Sequence, residues 1–184
     1  MTTVAGPAPP RRAEVSLLAS ATLVQVAANA AAAVVATLAL GAAGRGEMVL
    51  GASIGGVCAL LGGLGSGSAL RSILPATSAA RRRFLGGYAW CTAAGSVWAA
   101  GLAVLACAGS APLLGPALSA PAFLAAVGGF TAVQVVMAQA GEAWYADGAF
   151  RRGGTWTAAC AGGGLLALTA AATVTDRAAA LLGA

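Results

Sequence analysis

Five long stretches of apolar, almost uncharged sequence dominate this chain of 184 residues. Each runs for roughly twenty residues or more, which is the length of helix that crosses the hydrocarbon core of a bilayer. Only 8% of the residues are charged and 59% are hydrophobic, whereas about 25% of the residues in an average soluble domain are charged. The sequence therefore predicts an all-α fold, a polytopic membrane helix bundle of about five transmembrane helices.

The arginines between these stretches are distributed unequally. Eight of the ten cations fall in alternate gaps, so they lie on one side of a bilayer if each stretch crosses it once. They are Arg11, Arg12, Arg71, Arg81, Arg82, Arg83, Arg151 and Arg152, and the other set is Arg45 and Arg177. Because cytoplasmic loops carry an excess of Lys and Arg, this distribution predicts a multi-pass protein of the cytoplasmic membrane with a cytoplasmic N-terminus.

Composition along the chain divides it into three regions. We predict a flexible cytoplasmic tail over residues 1–15, a transmembrane helical bundle over 16–175 and a short exterior tail over 176–184. The first exterior turn is predicted at Gly44-Arg45-Gly46-Glu47. The five predicted helices span residues 16–43, 48–74, 85–108, 119–146 and 154–175. A cleaved signal is the alternative for the first helix, but its apolar run is much longer than the usual signal core of about 7–15 residues.

The basic balance of the chain does not indicate nucleic-acid binding. The net charge is +5, but the arginines cluster at the ends of apolar stretches instead of forming one stripe. The chain has no histidine, and its four cysteines lie inside apolar stretches without metal-ligand spacing. We therefore predict no nucleic-acid partner, no metal and no cofactor.

The predicted helix over 119–146 has one polar face. At about 100° per residue, five polar side chains fall within about 140° of one another. They are Thr131, Gln134, Gln139, Glu142 and Tyr145. Amides and a carboxylate are unfavourable in lipid unless they meet partners or water, so this face is expected to look into the bundle or into an aqueous cavity.

The first predicted helix has a smaller polar face formed by Thr22, Gln25 and Asn29, which lie within about 60° of one another. If the two faces converge, they form a polar cavity of the kind that a transporter needs. The alternative is two sets of ordinary hydrogen bonds between helices. The residues predicted to line a substrate cavity are Gln25, Asn29, Thr131, Gln134, Gln139 and Glu142.

A basic group precedes the third predicted helix. Guanidinium groups bind phosphate in bidentate fashion, so these side chains are candidates for binding an anionic head group. The candidates are Arg71, Arg81, Arg82 and Arg83. The alternative is that the run acts only as a signal for a cytoplasmic loop.

The order of glycines and arginines in the first two helices resembles a known membrane family. Gln25 and Asn29 are followed by Gly44-Arg45-Gly46-Glu47, and the second helix ends in Gly63-Leu64-Gly65-Ser66-Gly67-Ser68-Ala69-Leu70-Arg71. This pattern is similar to the start of the polysaccharide flippases, the O-antigen and teichoic-acid exporter type of the multidrug/oligosaccharidyl-lipid/polysaccharide transporter superfamily. The segment Asp147-Gly148-Ala149-Phe150-Arg151-Arg152 also resembles the cytoplasmic hairpin found in that family.

The resemblance implies movement of a lipid-linked oligosaccharide across the cytoplasmic membrane by alternating access, with no catalytic residue. Members of the family have two lobes of about six helices, and this chain corresponds to the N-terminal lobe only. A homodimer or a second membrane subunit is therefore expected as a partner, besides the lipid bilayer.

Two other functions remain open from the sequence. One is a small membrane-embedded prenyl or terpenoid cyclase or transferase, in which Glu142 or Asp147 protonates an alkene or epoxide. Such sites normally use paired acids, and the chain has only five acidic residues. The other is a non-catalytic accessory subunit of a larger membrane assembly.

Overall fold

All regular secondary structure in the described part of the chain is helical. The computed structural model describes residues 12–63, 67, 70, 73–75, 77–174 and 178–183. The helices are α1 (Arg12–Gly63), α2 (Ser78–Leu114), α3 (Pro121–Ala146), α4 (Phe150–Ala172) and the short α5 (Ala178–Leu182), with a 3₁₀ helix at Pro116–Ser119. Among these residues, the four helices α1 to α4 are long and apolar enough to cross a membrane. The predicted all-α class is confirmed.

Large apolar side chains cover the outside of the bundle. Leu38 is 82% exposed, Trp90 80% and Leu113 87%. A soluble protein rarely exposes a contiguous apolar surface of this kind, whereas a bilayer solvates it without penalty. The outer surface therefore suits a lipid environment.

Helix α1 is broken at Gly41, whose φ of 65° and ψ of −172° are not helical. A straight helix of 52 residues would be about 78 Å long, more than twice the hydrocarbon thickness of a bilayer. The break divides α1 into a first arm (residues 12–40) and a second arm (residues 42–63). A positive φ disfavours residues with a Cβ atom, which accounts for glycine at this position.

Contacts at the two ends of α1 show that its arms run in opposite directions. Leu17, near the start of the first arm, lies against Gly154 at the beginning of α4. Gly67, just beyond the second arm, lies against Glu142 near the end of α3. Both contacts are at the end of the bundle where α3 leads into α4, so the chain leaves this end and returns to it.

The exterior turn predicted at Gly44-Arg45-Gly46-Glu47 is wrong, because these residues belong to the second arm and the direction changes at Gly41. The charged pair marks polar sequence close to the reversal, but only the glycine with positive φ makes it. Helix α1 also begins at Arg12, so that residues 12–15 of the predicted tail are helical. Residues 1–11 lie outside the described part.

Helix α3 stands at the centre of the bundle. It runs parallel to the second arm, since Phe123 lies near Gly51 and Gln139 near Gly63. It packs against the second arm and α2 on one side, and it contacts α4 and α5 as well. The main apolar core lies on the first of these sides, and its buried members are Cys58, Ala103, Cys107, Ala111, Leu118, Phe123, Val127 and Leu182.

Candidate functional site

A cavity with a volume of about 1140 Å³ lies between the first arm of α1, α3 and α4. Much of its lining is small or apolar, but polar side chains come from all three helices. They are Thr22, Gln25 and Asn29 of the first arm, Gln134, Glu142 and Tyr145 of α3, and Thr157 of α4. We call this polar cavity the open cavity, and it is the candidate functional site.

The polar face of the first arm lies on the open cavity. Thr22, Gln25 and Asn29 occupy one face because they are spaced by about one and two helical turns. Gln25 and Asn29 are exposed in the isolated chain, as is Gln134 on the facing helix. The structure therefore brings together the amides of two helices that are about 100 residues apart in the sequence.

Helix α3 contributes the charge of the cavity and a bridge to α4. Glu142 is the only charged side chain among the described residues that line the cavity, and it is half-buried. The hydroxyl oxygens of Tyr145 and Thr157 are 3.4 Å apart. The Tyr145 ring also packs against Gly153 and stacks loosely with Phe150, with ring centroids 6.2 Å apart.

Two of the predicted cavity residues, Thr131 and Gln139, do not line the open cavity. The Thr131 side chain is fully buried beside Gly55, and its hydroxyl donates a hydrogen bond of 2.7 Å to the Val127 carbonyl oxygen of its own helix. Gln139 is 7% exposed, and its Oε1 accepts a hydrogen bond from the Tyr88 hydroxyl. The polar face of α3 is thus divided between two sides of the helix.

Gln139 and Tyr88 border a second, smaller cavity of about 390 Å³ between the second arm and α2. Its remaining lining is mostly small or apolar, including Gly62, Gly95 and Trp98. Since the Tyr88 hydroxyl donates to the Gln139 amide, these two polar groups satisfy each other within the packed side of α3.

The predicted head-group arginines have different surroundings. Arg81 forms an ion pair with Asp147, and its Nε donates a hydrogen bond of 3.3 Å to the Pro75 carbonyl oxygen. Arg82 and Arg83 are exposed. Arg71 lies outside the described residues.

Arg151 and Arg152, which the sequence placed in a cytoplasmic loop without assigning them a site, open α4 at the same end of the bundle. Both are exposed, and the Arg152 guanidinium carbon lies 5.8 Å from the centroid of a Trp144 ring. Nothing in the helical pattern of the sequence indicates this contact, because the residues lie on two different helices.

The opposite end of the open cavity is closed by α5. Leu181 and Leu182 line the cavity and are only 2% and 4% exposed. Leu182 lies against Gly51 of the second arm. The predicted exterior tail over 176–184 therefore contains a short helix that is packed into the bundle.

The described residues contain no group of three or more His, Cys, Asp and Glu side chains that could hold a metal ion. The structure defines a helical bundle, with helices suited to a membrane, that surrounds a cavity with amide and hydroxyl groups in a largely apolar lining. No protein family model, curated protein or solved structure matches this chain.

Proposed function

We propose that this chain is an integral membrane transport protein of the polysaccharide flippase type, corresponding to one helical lobe of such a transporter. The observation that supports this proposal is the convergence of Gln25, Asn29, Gln134 and Glu142 on one cavity. Polar groups are costly inside a membrane bundle, and they usually mark the path of a substrate or ion. Simple helix contacts would not require so large a cavity beside them.

The chemistry of the cavity suits the sugar part of a lipid-linked saccharide. Amide side chains donate and accept hydrogen bonds, as do sugar hydroxyl groups. Tyr145 and Trp156 add aromatic surface to the lining. The volume of about 1140 Å³ lies at the upper end of ordinary ligand pockets, which measure about 300–1,000 Å³.

The proposed topology has five crossings and a cytoplasmic N-terminus. The two arms of α1 run in opposite directions, and 22 residues of helix, the length of the second arm, extend about 33 Å. With α2, α3 and α4, the arms make five passes. The arginines at positions 81–83 and 151–152 then lie at the cytoplasmic end.

Reporter fusions test this topology. Alkaline phosphatase fused after Ala184 is expected to be active, because five crossings place the C-terminus outside, and green fluorescent protein fused there is expected to be dark. The same reporters fused after Pro75 are the matched control and should give the reverse pattern. Bright green fluorescence from the C-terminal fusion would contradict five crossings.

Transport is tested with the purified chain in liposomes that contain a fluorescent polyisoprenyl-phosphate-linked saccharide. Gly163 lines the cavity, and an added Cβ there meets no atom within 4 Å. We expect Gly163→Trp to obstruct the cavity and abolish movement of the saccharide between leaflets. The matched control is Gly101→Trp, at an exposed helical glycine with equally open surroundings that does not line the cavity. Equal activity of the two variants would overturn the proposal.

The structure gives less support to the membrane-enzyme alternative. Asp147 does not line the open cavity, and its carboxylate is paired with Arg81 at the end of the bundle. Glu142 therefore has no second acid beside it among the described lining residues. A cyclase or transferase of the expected type would need an acid pair or acid-rich cluster at the substrate.

A further inference from the structure

We call the end of the bundle where α3 leads into α4 the basic end, because Arg81, Arg82, Arg83, Arg151 and Arg152 lie there. These arginines differ in how their N–H donors are used. Arg81 directs Nη1 to Asp147 and Nε to the Pro75 carbonyl, so its charge is compensated and two of its N–H donors are occupied. Arg151 and Arg152 form no ion pair among the residues that the structure describes. An anion arriving at this end therefore meets uncompensated charge at Arg151 and Arg152, and at the exposed Arg82 and Arg83, but not at Arg81.

The guanidinium carbon of Arg152 lies 5.8 Å from the centroid of a Trp144 ring, and this contact leaves the guanidinium free to hydrogen-bond to another group. The N–H donors of a guanidinium lie along the edge of its plane, and an indole ring has no oxygen atom to accept hydrogen bonds from them. The same planar edge binds phosphate oxygens in bidentate fashion. The contact with Trp144 thus reduces the freedom that Arg152 would lose on binding a phosphate.

The position of Arg152 links it to the open cavity. Trp156 lies four residues later on α4, on the same helical face, and it lines the cavity. Tyr145, the residue after Trp144, lines the cavity from α3. A phosphate held by Arg152 would therefore lie about one helical turn from the cavity lining.

The cavity itself is a poor place for a phosphate. Its one charged lining side chain among the described residues is the carboxylate of Glu142, so none of them offers a cation to a phosphate. Amides and hydroxyls complete the polar lining, and these suit neutral sugar hydroxyls. The two parts of a lipid-linked saccharide thus find complementary surfaces at different positions.

We propose that Arg151 and Arg152, supported by Trp144, bind the phosphate or pyrophosphate of a lipid head group at the mouth of the open cavity. The group attached to that phosphate then enters the cavity between Gln25, Asn29 and Gln134. This proposal rests on the proposed function, since it names the site for the anionic part of the same substrate. It assigns the anion to Arg151 and Arg152 instead of the head-group arginines predicted from the sequence, which are Arg71, Arg81, Arg82 and Arg83.

Binding is tested with the full chain in nanodiscs of phosphatidylcholine, which carries no net charge, using farnesyl pyrophosphate as the probe and tryptophan fluorescence as the signal. We expect R151Q/R152Q to raise the Kd by about tenfold or more, the effect of losing roughly one strong charge-assisted interaction. The matched control R82Q/R83Q removes the same charge from two exposed arginines at the same end and should change the Kd less than about threefold. Equal effects of the two double variants would overturn the proposal in favour of general surface charge.

Competition measurements identify the chemical group that the site recognises. Inorganic pyrophosphate is expected to compete with farnesyl pyrophosphate, and phosphatidylglycerol mixed into the nanodiscs is expected to compete only weakly. Strong displacement by phosphatidylglycerol would overturn the proposal, because the site would then be a general anionic-lipid surface. W144F should keep the melting temperature of the parent and weaken binding, whereas unchanged binding would remove Trp144 from the site.

This inference and the transport proposal can fail separately. Gly163→Trp obstructs the cavity but leaves the arginines in place, so it should lose transport and keep binding of inorganic pyrophosphate. If R151Q/R152Q binds farnesyl pyrophosphate normally, the head-group site is refuted. If Gly163→Trp also abolishes transport, the transport proposal still stands.

Discussion

The two sides of α3 differ in how closely their neighbours approach. On the side of the second arm and α2, backbones meet with little space between them: a Cβ added at Gly95 would lie 2.7 Å from the Gly62 carbonyl oxygen. On the other side, α3 is separated from the first arm and α4, which pack against each other, by a cavity of about 1140 Å³. We call these the tight side and the open side.

Composition does not account for this difference, because both sides contain glycine and polar side chains. On the tight side, Gly62 and Gly95 face each other's backbones, and the Tyr88 hydroxyl is paired with the Gln139 amide. On the open side, Gly163 and Gly164 have no heavy atom within 4 Å of an added Cβ, and Gln134 is exposed. Small residues in a membrane bundle can therefore permit either close packing or empty volume, depending on what faces them.

The sharpest test of the comparison is the same substitution on each side. Gly95→Leu places a side chain against the Gly62 backbone, which cannot move aside without separating the second arm from α2. We expect a loss of about 3 kcal/mol, roughly a hundredfold in the folding equilibrium. Unfolding in mixed micelles with increasing sodium dodecyl sulfate measures this change.

Gly163→Leu is the control, because its surroundings are open. It should change stability by less than about 0.5 kcal/mol. Equal destabilisation by the two substitutions would mean that the open side is as closely packed as the tight side.

Cysteine reactivity distinguishes a water-filled cavity from one that is closed to solvent. Cys160 lines the open cavity, whereas Cys107 on the tight side has 0% exposure. In two variants that each retain one of these cysteines, a charged methanethiosulfonate should label Cys160 at least about tenfold faster, because reaction requires access to the thiolate. Mass spectrometry of the intact chain follows the labelling. Equal rates would show that the open side excludes water.

Removing one tyrosine hydroxyl on each side of α3 compares a polar contact on the tight side with one on the open side. The Tyr88 hydroxyl donates to the Gln139 amide within the tight side, so Tyr88→Phe leaves a buried acceptor with one donor fewer. We expect a loss of about 1 kcal/mol, in the range of hydrogen bonds within membrane bundles. Tyr145→Phe is the matched control, since its hydroxyl is 3.4 Å from Thr157 beside the open cavity. It should cost less than about half as much, because water can replace so long a contact. A larger loss for Tyr145→Phe would contradict the assignment of the two sides.

The sequence predicts the positions of the helices far better than it predicts the turns between them and the contacts that they make. Hydropathy and charge locate the helix over 119–146 to within two residues of its observed start, because Pro121 and the polar loop after Ala146 delimit it. The reversal at Gly41 was missed, since the chain has 27 glycines and nothing local marks the one with a positive φ at that turn. A charged pair indicates proximity to water, but it does not indicate where the backbone turns.

The candidate site was predicted in part, for a related reason. Helical periodicity places Thr131 and Gln134 on one broad face, but it cannot show which helix packs against each part of that face. Thr131 needs no polar neighbour because its hydroxyl bonds to its own helix, and it can therefore lie in the apolar packing. The pairing of Arg81 with Asp147 spans 66 positions of sequence, so no local pattern could identify it.

The smallest expected effect concerns this ion pair, which joins α2 to the turn after α3 at the basic end of the tight side. The side chains of Arg81 and Asp147 are 36% and 39% exposed, so water screens their attraction and the pair should contribute less than about 1 kcal/mol. Asp147→Asn keeps an oxygen acceptor and removes the charge. We expect a small loss of stability at about 0.05 M salt that shrinks towards zero at about 1 M salt, where the screening length is near 3 Å. Arg82→Gln, at an exposed neighbour, should show no such salt-dependent loss. If Asp147→Asn lowers stability equally at both salt concentrations, charge is not the cause. Hydrogen bonding at the α3–α4 turn would then stabilise this end of the tight side.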